Sequence, residues 1–288
     1  MIQDVQALRA SSDTPVYFER GTPVLAVDDV SKEYVRIHNS QRVHALEGIS
    51  FTIDEGEFVS VIGRSGCGKS TLLRMVAGLL SPTRGKISVD GKRSTQPGVD
   101  RGMVFQEYAI FPWKTAFQNV EFPLLVQGVA SAERRDRAMH YLQMVNLADA
   151  AGRYPRELSG GMKQRVAVAR GLCQNPRILL MDEPFAAIDA VQRQQLQEDL
   201  RRIVSDLRTT VMFVTHSVDE AAFLSDRVVV LKASPGEIIA DICVDLPRER
   251  RWTDISQNLT FNDLRSNLLN EVHRGSPEGA AMAHSGGL

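Results

Sequence analysis

The chain has 288 residues, 43% of them hydrophobic, and a formal net charge of −1. It is long enough to bury the core of one large domain or two modest ones, and it lacks the basic field typical of proteins that bind nucleic acid. Its cysteines, Cys67, Cys173 and Cys243, are too few and too scattered for a disulfide framework or a metal site, which favours a reducing compartment.

Composition divides the chain into three segments. Residues 1–22 are polar and patternless, have no apolar signal segment, and are expected to form a flexible extension. Residues 23–245 carry the regular patterns of a main domain, and residues 246–288 are expected to form a C-terminal helix and a disordered tail. No stretch approaches the roughly 18–20 apolar residues of a membrane span, so action at a membrane would require a partner.

Short β-branched runs bounded by Gly, Pro, Asp or Ser predict strands. In chain order these are Val24–Val30, Ile49–Ile53, Phe58–Ile62, Lys86–Val89, Gly102–Phe105, Ile178–Met181, Thr210–Val214, Val228–Leu231 and Glu237–Val244. Helical periodicity predicts helices between and after these runs. The predicted helices are Lys69–Ala77, Ala132–Val145, Gly160–Leu172, Ala187–Leu207 and Phe261–Val272.

Strands that alternate with helices predict an α/β fold with a largely parallel sheet. The early strands are separated by turns that contain Asp and Gly, which is typical of an antiparallel meander. Residues of about 115–173 contain few strand-like runs and several helical ones. We therefore expect a helical subdomain inserted into the sheet domain.

Residues 63–70 read Gly-Arg-Ser-Gly-Cys-Gly-Lys-Ser, between a buried-type strand and the start of a helix. This is the context that the Gly-x-x-x-x-Gly-Lys-Ser motif requires. Glycines let backbone N–H groups converge on phosphate oxygens, and the helix N-terminus adds a positive end. The motif predicts a nucleotide-phosphate loop formed by Gly63, Arg64, Ser65, Gly66, Cys67, Gly68, Lys69, Ser70 and Thr71.

Four side chains of this loop have distinct predicted behaviour. Lys69 can reach the β- and γ-phosphates, the Ser70 hydroxyl can ligate Mg²⁺, and Thr71 can bond the α-phosphate. Cys67 is expected to be a spectator whose side chain points outward. The alternative is a Gly-rich turn that matches the motif by chance, which the strand before it and the helix after it argue against.

An acidic pair follows the fully apolar run Ile178–Met181, which is typical of a central parallel strand. Because ligands bind beyond the carboxyl ends of such strands, Asp182 is predicted to lie beside the phosphate loop and to hold Mg²⁺. Glu183 comes next and could orient and polarise an attacking water. The alternative for this pair is a solvated turn at the end of a strand.

A second anion-type helix start lies at residues 158–165, which read Leu-Ser-Gly-Gly-Met-Lys-Gln-Arg. Ser159 is a candidate N-cap, and Gly160 and Gly161 permit close approach to the helix N-terminus. Together with the phosphate loop and the acidic pair, this octapeptide resembles the signature of the nucleotide-binding subunit of ATP-binding cassette (ABC) transporters. The resemblance covers roughly residues 24–245.

The resemblance implies a P-loop NTPase core with a mixed β-sheet, an antiparallel β subdomain and the inserted helical subdomain. It also implies ATP and Mg²⁺ as cofactors, ATP hydrolysis, and a second copy of the chain as partner. In the family, Ser159, Gly160 and Gly161 would face the γ-phosphate bound by that other copy. An ordinary N-capped helix is the alternative for these three residues.

Single positions match further family motifs. Gln106 matches the glutamine that senses Mg²⁺ and the attacking water, and His216 matches the histidine that contacts the γ-phosphate. Tyr34 matches the aromatic residue that stacks on adenine, with a core or edge tyrosine as the alternative. Ile188, before Asp189, departs from the leucine that is common at the family's contact between copies, and the change conserves size.

The stretch Phe111–Val120 resembles the surface where two membrane permease subunits dock, although Trp113 could instead be a core residue. Its Pro-Trp pair and the segments Ser234–Ile239 and Val244–Arg248 resemble the importer branch for nitrate, sulfonate and taurine. This implies a peripheral position at the cytoplasmic face of the inner membrane. A periplasmic or extracellular substrate-binding protein would act through the permease.

Three other classes of protein remain as alternatives at this point. They are a non-transport ABC ATPase of DNA repair or translation, a P-loop kinase or GTPase, and a binding module that has lost catalysis. A single cassette without a heptad run disfavours the first, and the octapeptide at 158–165 disfavours the second. Retention of both Glu183 and His216 disfavours the third.

Overall fold

The structure is a computed structural model that describes residues 23–35 and 42–275. The predicted flexible extension at 1–22 and nearly all of the predicted disordered tail lie outside the described residues. The strands are β1 Pro23–Val35, β2 Arg42–Asp54, β3 Phe58–Gly63, β4 Arg84–Val89, β5 Lys92–Arg93, β6 Arg101–Val104, β7 Ile178–Asp182, β8 Val211–Val214, β9 Arg227–Lys232 and β10 Glu237–Cys243. The helices are α1 Lys69–Val76, α2 Ala116–Val126, α3 Ser131–Met144, α4 Gly160–Cys173, α5 Ala190–Asp206, α6 Val218–Leu224, α7 Trp252–Ile255 and α8 Leu259–Arg274.

The larger sheet has six strands in the order β10-β9-β3-β8-β7-β6. All neighbouring pairs are parallel except β9 and β10. Every residue of β3, β7 and β8 is buried, as expected for apolar strands covered on both faces. The predicted α/β fold with a largely parallel sheet is confirmed, and the carboxyl ends of β3, β7 and β8 lie along one edge.

The smaller sheet is antiparallel, in the order β2-β1-β4-β5. This confirms the antiparallel pairing predicted for the early strands, except that β3 lies in the larger sheet. Its first two strands have 13 residues each and are much longer than predicted. The register of β1 against β2 shifts on both sides of Val30, and beyond these shifts β1 continues to Val35 with partly exposed residues. The β-branched pattern had marked only the buried half of this strand.

Helix α1 fills the space between the two sheets. Leu72, Leu73 and Val76 are fully buried in one hydrophobic cluster with residues of both sheets. The amphipathic pattern that predicted this helix therefore reflects a core position, and it fixes the helix N-terminus directly after β3. The phosphate loop is thus held between two rigid elements.

Helices α2, α3 and α4 pack against one another, in the stretch predicted to be helical. Helix α2 was not predicted as a separate helix, and it contains Pro123, a residue that normally breaks a helix interior. It begins with a capping box in which Thr115 accepts from the backbone N–H of Gln118 and the Gln118 side chain accepts from that of Thr115. The boundaries of this subdomain near 115 and 173 stay predictions.

The C-terminal segment, residues 247–275, packs against α6. Trp252 stacks on Phe223 with ring centroids 4.2 Å apart, and Phe261 meets Trp252 edge-on at 5.9 Å. Leu268 of α8 is fully buried in the hydrophobic cluster that contains Phe223 and Phe261. In the part of the chain that the structure describes, no helix has the length and apolar content needed to cross a membrane.

Candidate functional site

The phosphate loop leaves β3 at Gly63 and enters α1 through Gly68. Gly68 has φ 95° and caps α1 without a side-chain hydrogen bond, so the first N–H groups of the helix stay available for a ligand. A Cβ at Gly68 would lie 2.5 Å from Leu46, whereas a Cβ at Gly66 would meet nothing within 4 Å. One side of the loop is therefore braced by the small sheet and the other side is open.

Lys69 lies inside this loop with only 5% of its surface exposed. Its ammonium donates to the backbone carbonyls of Gly63, at 2.8 Å, and Arg64, at 3.2 Å. These bonds fix the charge in the concave face formed by the loop. A buried ammonium among converging N–H groups is a strong site for phosphate oxygens.

The prediction that Cys67 points outward is wrong. Its side chain is fully buried, and a Cβ added at Gly63 would lie 2.7 Å from its Sγ atom. The turn of the loop aims Cys67 inward, into room that exists because Gly63 has no side chain. Burial raises the pKa of the Cys67 thiol, and the nearby ammonium of Lys69 opposes that change.

Ser70 and Asp182 meet where α1 begins and β7 ends. The Ser70 hydroxyl donates to Asp182 Oδ1 at 2.9 Å. Asp182 is buried, and burial raises the pKa of its carboxyl, whereas the bond from Ser70 acts in the opposite direction. Sequence reasoning had placed these two residues together, and the structure brings them into contact.

This oxygen pair fits Mg²⁺, which usually takes one or two protein ligands and completes its shell with waters and substrate phosphates. Within residues 23–35 and 42–275, no group of three or more His, Cys, Asp or Glu side chains could hold a metal ion. A hydroxyl and a carboxylate beside a phosphate loop are the hard donors that the ion prefers.

Glu183 and His216 form a hydrogen-bonded pair at the same edge of the sheet. The Nδ1 atom of His216 lies 2.9 Å from Oε2 of Glu183. The Glu183 backbone has φ 43°, a conformation uncommon for residues other than glycine, and its N–H donates to the Val214 carbonyl. The left-handed turn thus aims this carboxylate at the end of β8, where His216 lies.

Gln106 and Tyr34 are both exposed. Gln106 follows β6, whose Val104 pairs with Met181, so it lies at the sheet edge beside Asp182. Tyr34 exposes 41% of its surface near the end of β1, which excludes a core tyrosine, and Lys32 Nζ lies 5.4 Å from its ring centroid. Within the described residues, no hydrogen bond joins Gln106 or Tyr34 to the other site residues, and their predicted roles stay predictions.

The signature residues lie at the start of α4. Ser159 caps this helix by accepting from the Met162 N–H at 3.3 Å. Ser159 and Gly160 are exposed, and a Cβ at Gly160 would meet only the hydroxyl of Tyr108. Gly161 is buried, and a Cβ there would lie 2.9 Å from the Gln192 side chain. The first two residues are thus free for an external contact, while Gly161 serves packing.

Comparison with known proteins decides the family. A family model described as ABC transporter matches residues 46–186. The nitrate import ATP-binding protein NrtD of Synechocystis sp. is 50% identical over 223 residues, which cover 77% of this chain and 83% of that protein. The chain belongs to the ABC transporter ATP-binding family.

Two other relatives extend the match. An uncharacterised ABC transporter ATP-binding protein of Methanocaldococcus jannaschii is 49% identical over 246 residues, covering 85% of this chain and 90% of that protein. The bicarbonate transport ATP-binding protein CmpC of Synechocystis sp. is 44% identical over 248 residues, which are 85% of this chain but 37% of that longer protein.

A solved structure agrees with the fold. The dimeric ATP-binding cassette MJ0796, in a post-hydrolysis state bound to ADP and Pi, has a TM-score of 0.67 and 33% identity to this chain. The match covers 77% of this chain and all of that chain. The ABC fold and the ATPase activity predicted from sequence are confirmed, and ATP is the nucleotide that ABC ATPase domains bind.

Sequence reasoning missed two residues that organise the exposed loop of this ABC ATPase between Gln106 and Thr115. Buried Asn119 accepts from the Phe111 N–H at 2.7 Å and donates to the Phe111 carbonyl at 3.2 Å. Arg170 of α4 donates to the Ala109 carbonyl at 2.7 Å. An asparagine inside a predicted helical stretch carries no signal of such a role.

Trp113 lies on the outside of this loop. It exposes 70% of its surface, so the alternative of a core tryptophan is wrong. Phe111 packs against both Trp113, at 5.6 Å between ring centroids, and Phe122 of α2, at 4.7 Å. The loop therefore presents a supported aromatic surface.

Proposed function

We propose that this chain is the ATP-hydrolysing subunit of an importer for a small anion, working as two identical copies on the cytoplasmic face of the inner membrane. The contact cluster of Ser70, Asp182, Glu183 and His216 at one sheet edge carries the proposal. It combines oxygen donors suited to Mg²⁺ with a carboxylate that a histidine orients. These are the parts that phosphoryl transfer to water requires.

Binding of ATP falls to the phosphate loop. The ammonium of Lys69 and the N–H groups that begin α1 hold the phosphate oxygens, and Thr71 bonds the α-phosphate. Ser70, Asp182 and Gln106 would hold Mg²⁺, which neutralises charge on the phosphates when it is bound. Tyr34, exposed at the end of β1, would stack on the adenine ring.

Hydrolysis falls to Glu183 and His216. The Glu183 carboxylate accepts a proton from a water that it aligns with the γ-phosphate. His216 restrains that carboxylate through Nδ1, which leaves Nε2 to face the γ-phosphate. The Glu183 carboxylate, through the attacking water, and the His216 Nε2 atom would then both act at the γ-phosphate.

The second copy of the chain completes the site. Ser159 and Gly160 are exposed at the N-terminus of α4, and they would face the γ-phosphate held by the other copy. The dimeric state of the related cassette MJ0796 supports this arrangement. ATP favours the closed pair only to the extent that it binds that pair more tightly than the open one.

The segment Phe111–Val120, which comprises the end of the exposed loop and the start of α2, would pass this closure to two permease subunits in the membrane. Its exposed Trp113 suits docking, because aromatic side chains anchor many protein interfaces. The names of the relatives, nitrate import and bicarbonate transport, support a small oxyanion as substrate. The permease and a periplasmic or extracellular binding protein would select that anion.

Replacement of Glu183 by glutamine tests the catalytic assignment. The Glu183→Gln variant should bind ATP normally, lose at least about 100-fold in hydrolysis, and accumulate as an ATP-bound dimer in size-exclusion chromatography with light scattering. Glu249→Gln removes an exposed carboxylate outside the site and is the matched control. Hydrolysis at the unaltered rate by Glu183→Gln would refute the proposed role.

Transport is tested with the membrane complex itself. The tagged full-length chain should copurify with a permease from its native membranes, and proteoliposomes of that complex should take up nitrate or another small oxyanion when ATP is supplied. The isolated chain should show no thermal stabilisation by nitrate and clear stabilisation by ATP. Copurification with DNA-repair or ribosomal proteins, with no permease, would contradict the importer function.

A further inference from the structure

Glu220 is a buried carboxylate that the proposed mechanism does not use. It lies in α6 with 6% of its surface exposed. Its Oε2 atom accepts from the Thr215 hydroxyl at 2.6 Å, and its Oε1 atom accepts from Gln197 Nε2 at 3.2 Å. Burial raises the pKa of this carboxyl, and the bond from Thr215 opposes the rise. Burial of a carboxylate is costly unless it is hydrogen-bonded, and the bonds from Thr215 and Gln197 supply that compensation.

The arrangement surrounds the turn that carries His216. The Thr215 hydroxyl, which donates to Glu220, also accepts from the Ser217 N–H at 3.0 Å. The Ser217 hydroxyl in turn accepts from the Glu220 N–H at 3.3 Å. Thr215 and Ser217, the residues on either side of His216, are therefore both hydrogen-bonded to Glu220.

His216 has little other support. Its side chain is 62% exposed, and its ring has no hydrogen bond within the described residues besides the one to Glu183. The position of the imidazole thus depends on the backbone of residues 215–217. A change that loosens this turn would let Nδ1 move away from the Glu183 carboxylate.

The same network reaches the C-terminal segment. Gln197, which donates to Glu220, accepts from the indole N–H of Trp252 at 3.0 Å. Trp252 stacks on Phe223 of α6, and Arg265 pairs with Asp219 at the start of that helix. The helix that follows the His216 turn is therefore clamped by a segment beyond residue 245.

We propose that Glu220 is a positioning residue for ATP hydrolysis, which fixes the Thr215–Ser217 turn so that His216 meets Glu183 and links that turn to Trp252 of the C-terminal segment. The proposal rests on the hydrolytic roles proposed above for Glu183 and His216. The competing explanation is that Glu220 only stabilises α6. The two explanations differ in whether the effect of Glu220 passes through His216.

A double-mutant cycle separates them. Glu220→Gln keeps the shape of the side chain and removes its charge, and it should lower kcat about tenfold with unchanged affinity for a non-hydrolysable ATP analogue. In the His216→Ala background the same change should have almost no further effect. An equal loss of kcat in both backgrounds would show a structural role and overturn the proposal.

Thr215 provides a second route if Glu220→Gln fails to fold. Thr215→Val removes the hydroxyl at nearly the same size and should reproduce the loss of kcat, whereas Thr215→Ser keeps the hydroxyl and should restore most of it. Full activity in Thr215→Val would contradict the proposal. These variants leave the phosphate loop untouched, so ATP affinity serves as the internal reference.

Trp252 tests the link to the C-terminal segment. Trp252→Phe keeps an aromatic ring against Phe223 but removes the N–H donor to Gln197, and it should lower kcat about threefold. Leu259→Ala, at an 80% exposed position of the same segment, is the matched control and should have no effect. An unchanged kcat in Trp252→Phe would overturn this link.

The outcomes distinguish this inference from the function on which it rests. If Glu183→Gln and His216→Ala both retain full hydrolysis, the catalytic assignment itself is wrong. If those two variants lose activity while Glu220→Gln and Thr215→Val retain it, only the positioning role of Glu220 is wrong.

Discussion

The phosphate loop and the signature turn both present the N-terminus of a helix, but the chain encloses only the first. At α1, Gly68 caps without a side chain, Lys69 supplies a buried cation, and Leu46 closes one side. At α4, Ser159 caps with its hydroxyl, and Gly160 faces outward. A helix N-terminus attracts anions weakly when exposed and strongly when enclosed, because water screens it in the first case. The first helix start is thus largely enclosed by this chain, whereas the second lies open on its surface.

The largest effect is expected from a substitution in the phosphate loop, the enclosed one of the two helix starts. Lys69→Met keeps the length of the side chain but removes the ammonium, and it should weaken ATP binding about 1,000-fold, as expected for the loss of two or more charge-assisted hydrogen bonds. Isothermal titration calorimetry measures the change. Lys86→Met, which removes an exposed lysine of β4, is the control. Unchanged ATP affinity in Lys69→Met would mean that the phosphates bind elsewhere.

An intermediate effect is expected from a substitution in the signature turn, the exposed one of the two helix starts. Gly160→Asp should leave ATP binding to the isolated chain and its melting temperature almost unchanged, because its Cβ would meet only the Tyr108 hydroxyl and an acidic residue suits a helix N-terminus. Hydrolysis should fall about 100-fold, since the carboxylate would repel the phosphate brought by the second copy.

Steady-state ATPase measurements over a range of protein concentrations give the result for Gly160→Asp. Ser131→Asp places the same charge at the start of α3 and should keep full hydrolysis. A normal rate in Gly160→Asp would remove this turn from the site.

The smallest effect is expected from substitutions of Ser159, which caps α4 with its hydroxyl, whereas α1 is capped by Gly68 without a side chain. Ser159→Ala removes the acceptor for the Met162 N–H and should destabilise the protein by about 1 kcal/mol, whereas Ser159→Gly should cost only a few tenths. Urea denaturation measures both values. Equal destabilisation by the two variants would show that the Ser159 hydroxyl contributes to stability through a contact other than its cap hydrogen bond to the Met162 N–H.

The sequence predicted the positions of most candidate site residues because the signals are local, while the roles of those residues stay predictions. The phosphate loop, the acidic pair after β7 and the signature turn each combine a short motif with a strand or helix next to it, so position in the fold followed directly. The direction of Cys67 did not follow, since a motif specifies residue types and not the side to which each one turns. The roles of Gln106 and Tyr34 stay predictions for the same reason.

Residues whose partners are distant in sequence escaped prediction. Glu220, Gln197 and Trp252 form one chain of hydrogen bonds, yet their sequence contexts read as ordinary amphipathic helix or charged tail. Arg170 lies on a helix face that pattern alone cannot distinguish from a surface. Such roles arise from tertiary packing, which a single sequence does not express.

The tie between Asn119 and the loop around Phe111 has a mechanical consequence. The buried Asn119 amide accepts one hydrogen bond and donates three, and these bonds tie the turn from Phe111 to Thr115 to α2. Arg170 couples the preceding stretch to α4 in the same way. Force applied at Trp113 would therefore not be absorbed by a soft connection. It would reach both helices through these hydrogen bonds, and the signature turn lies at the opposite end of α4 from Arg170.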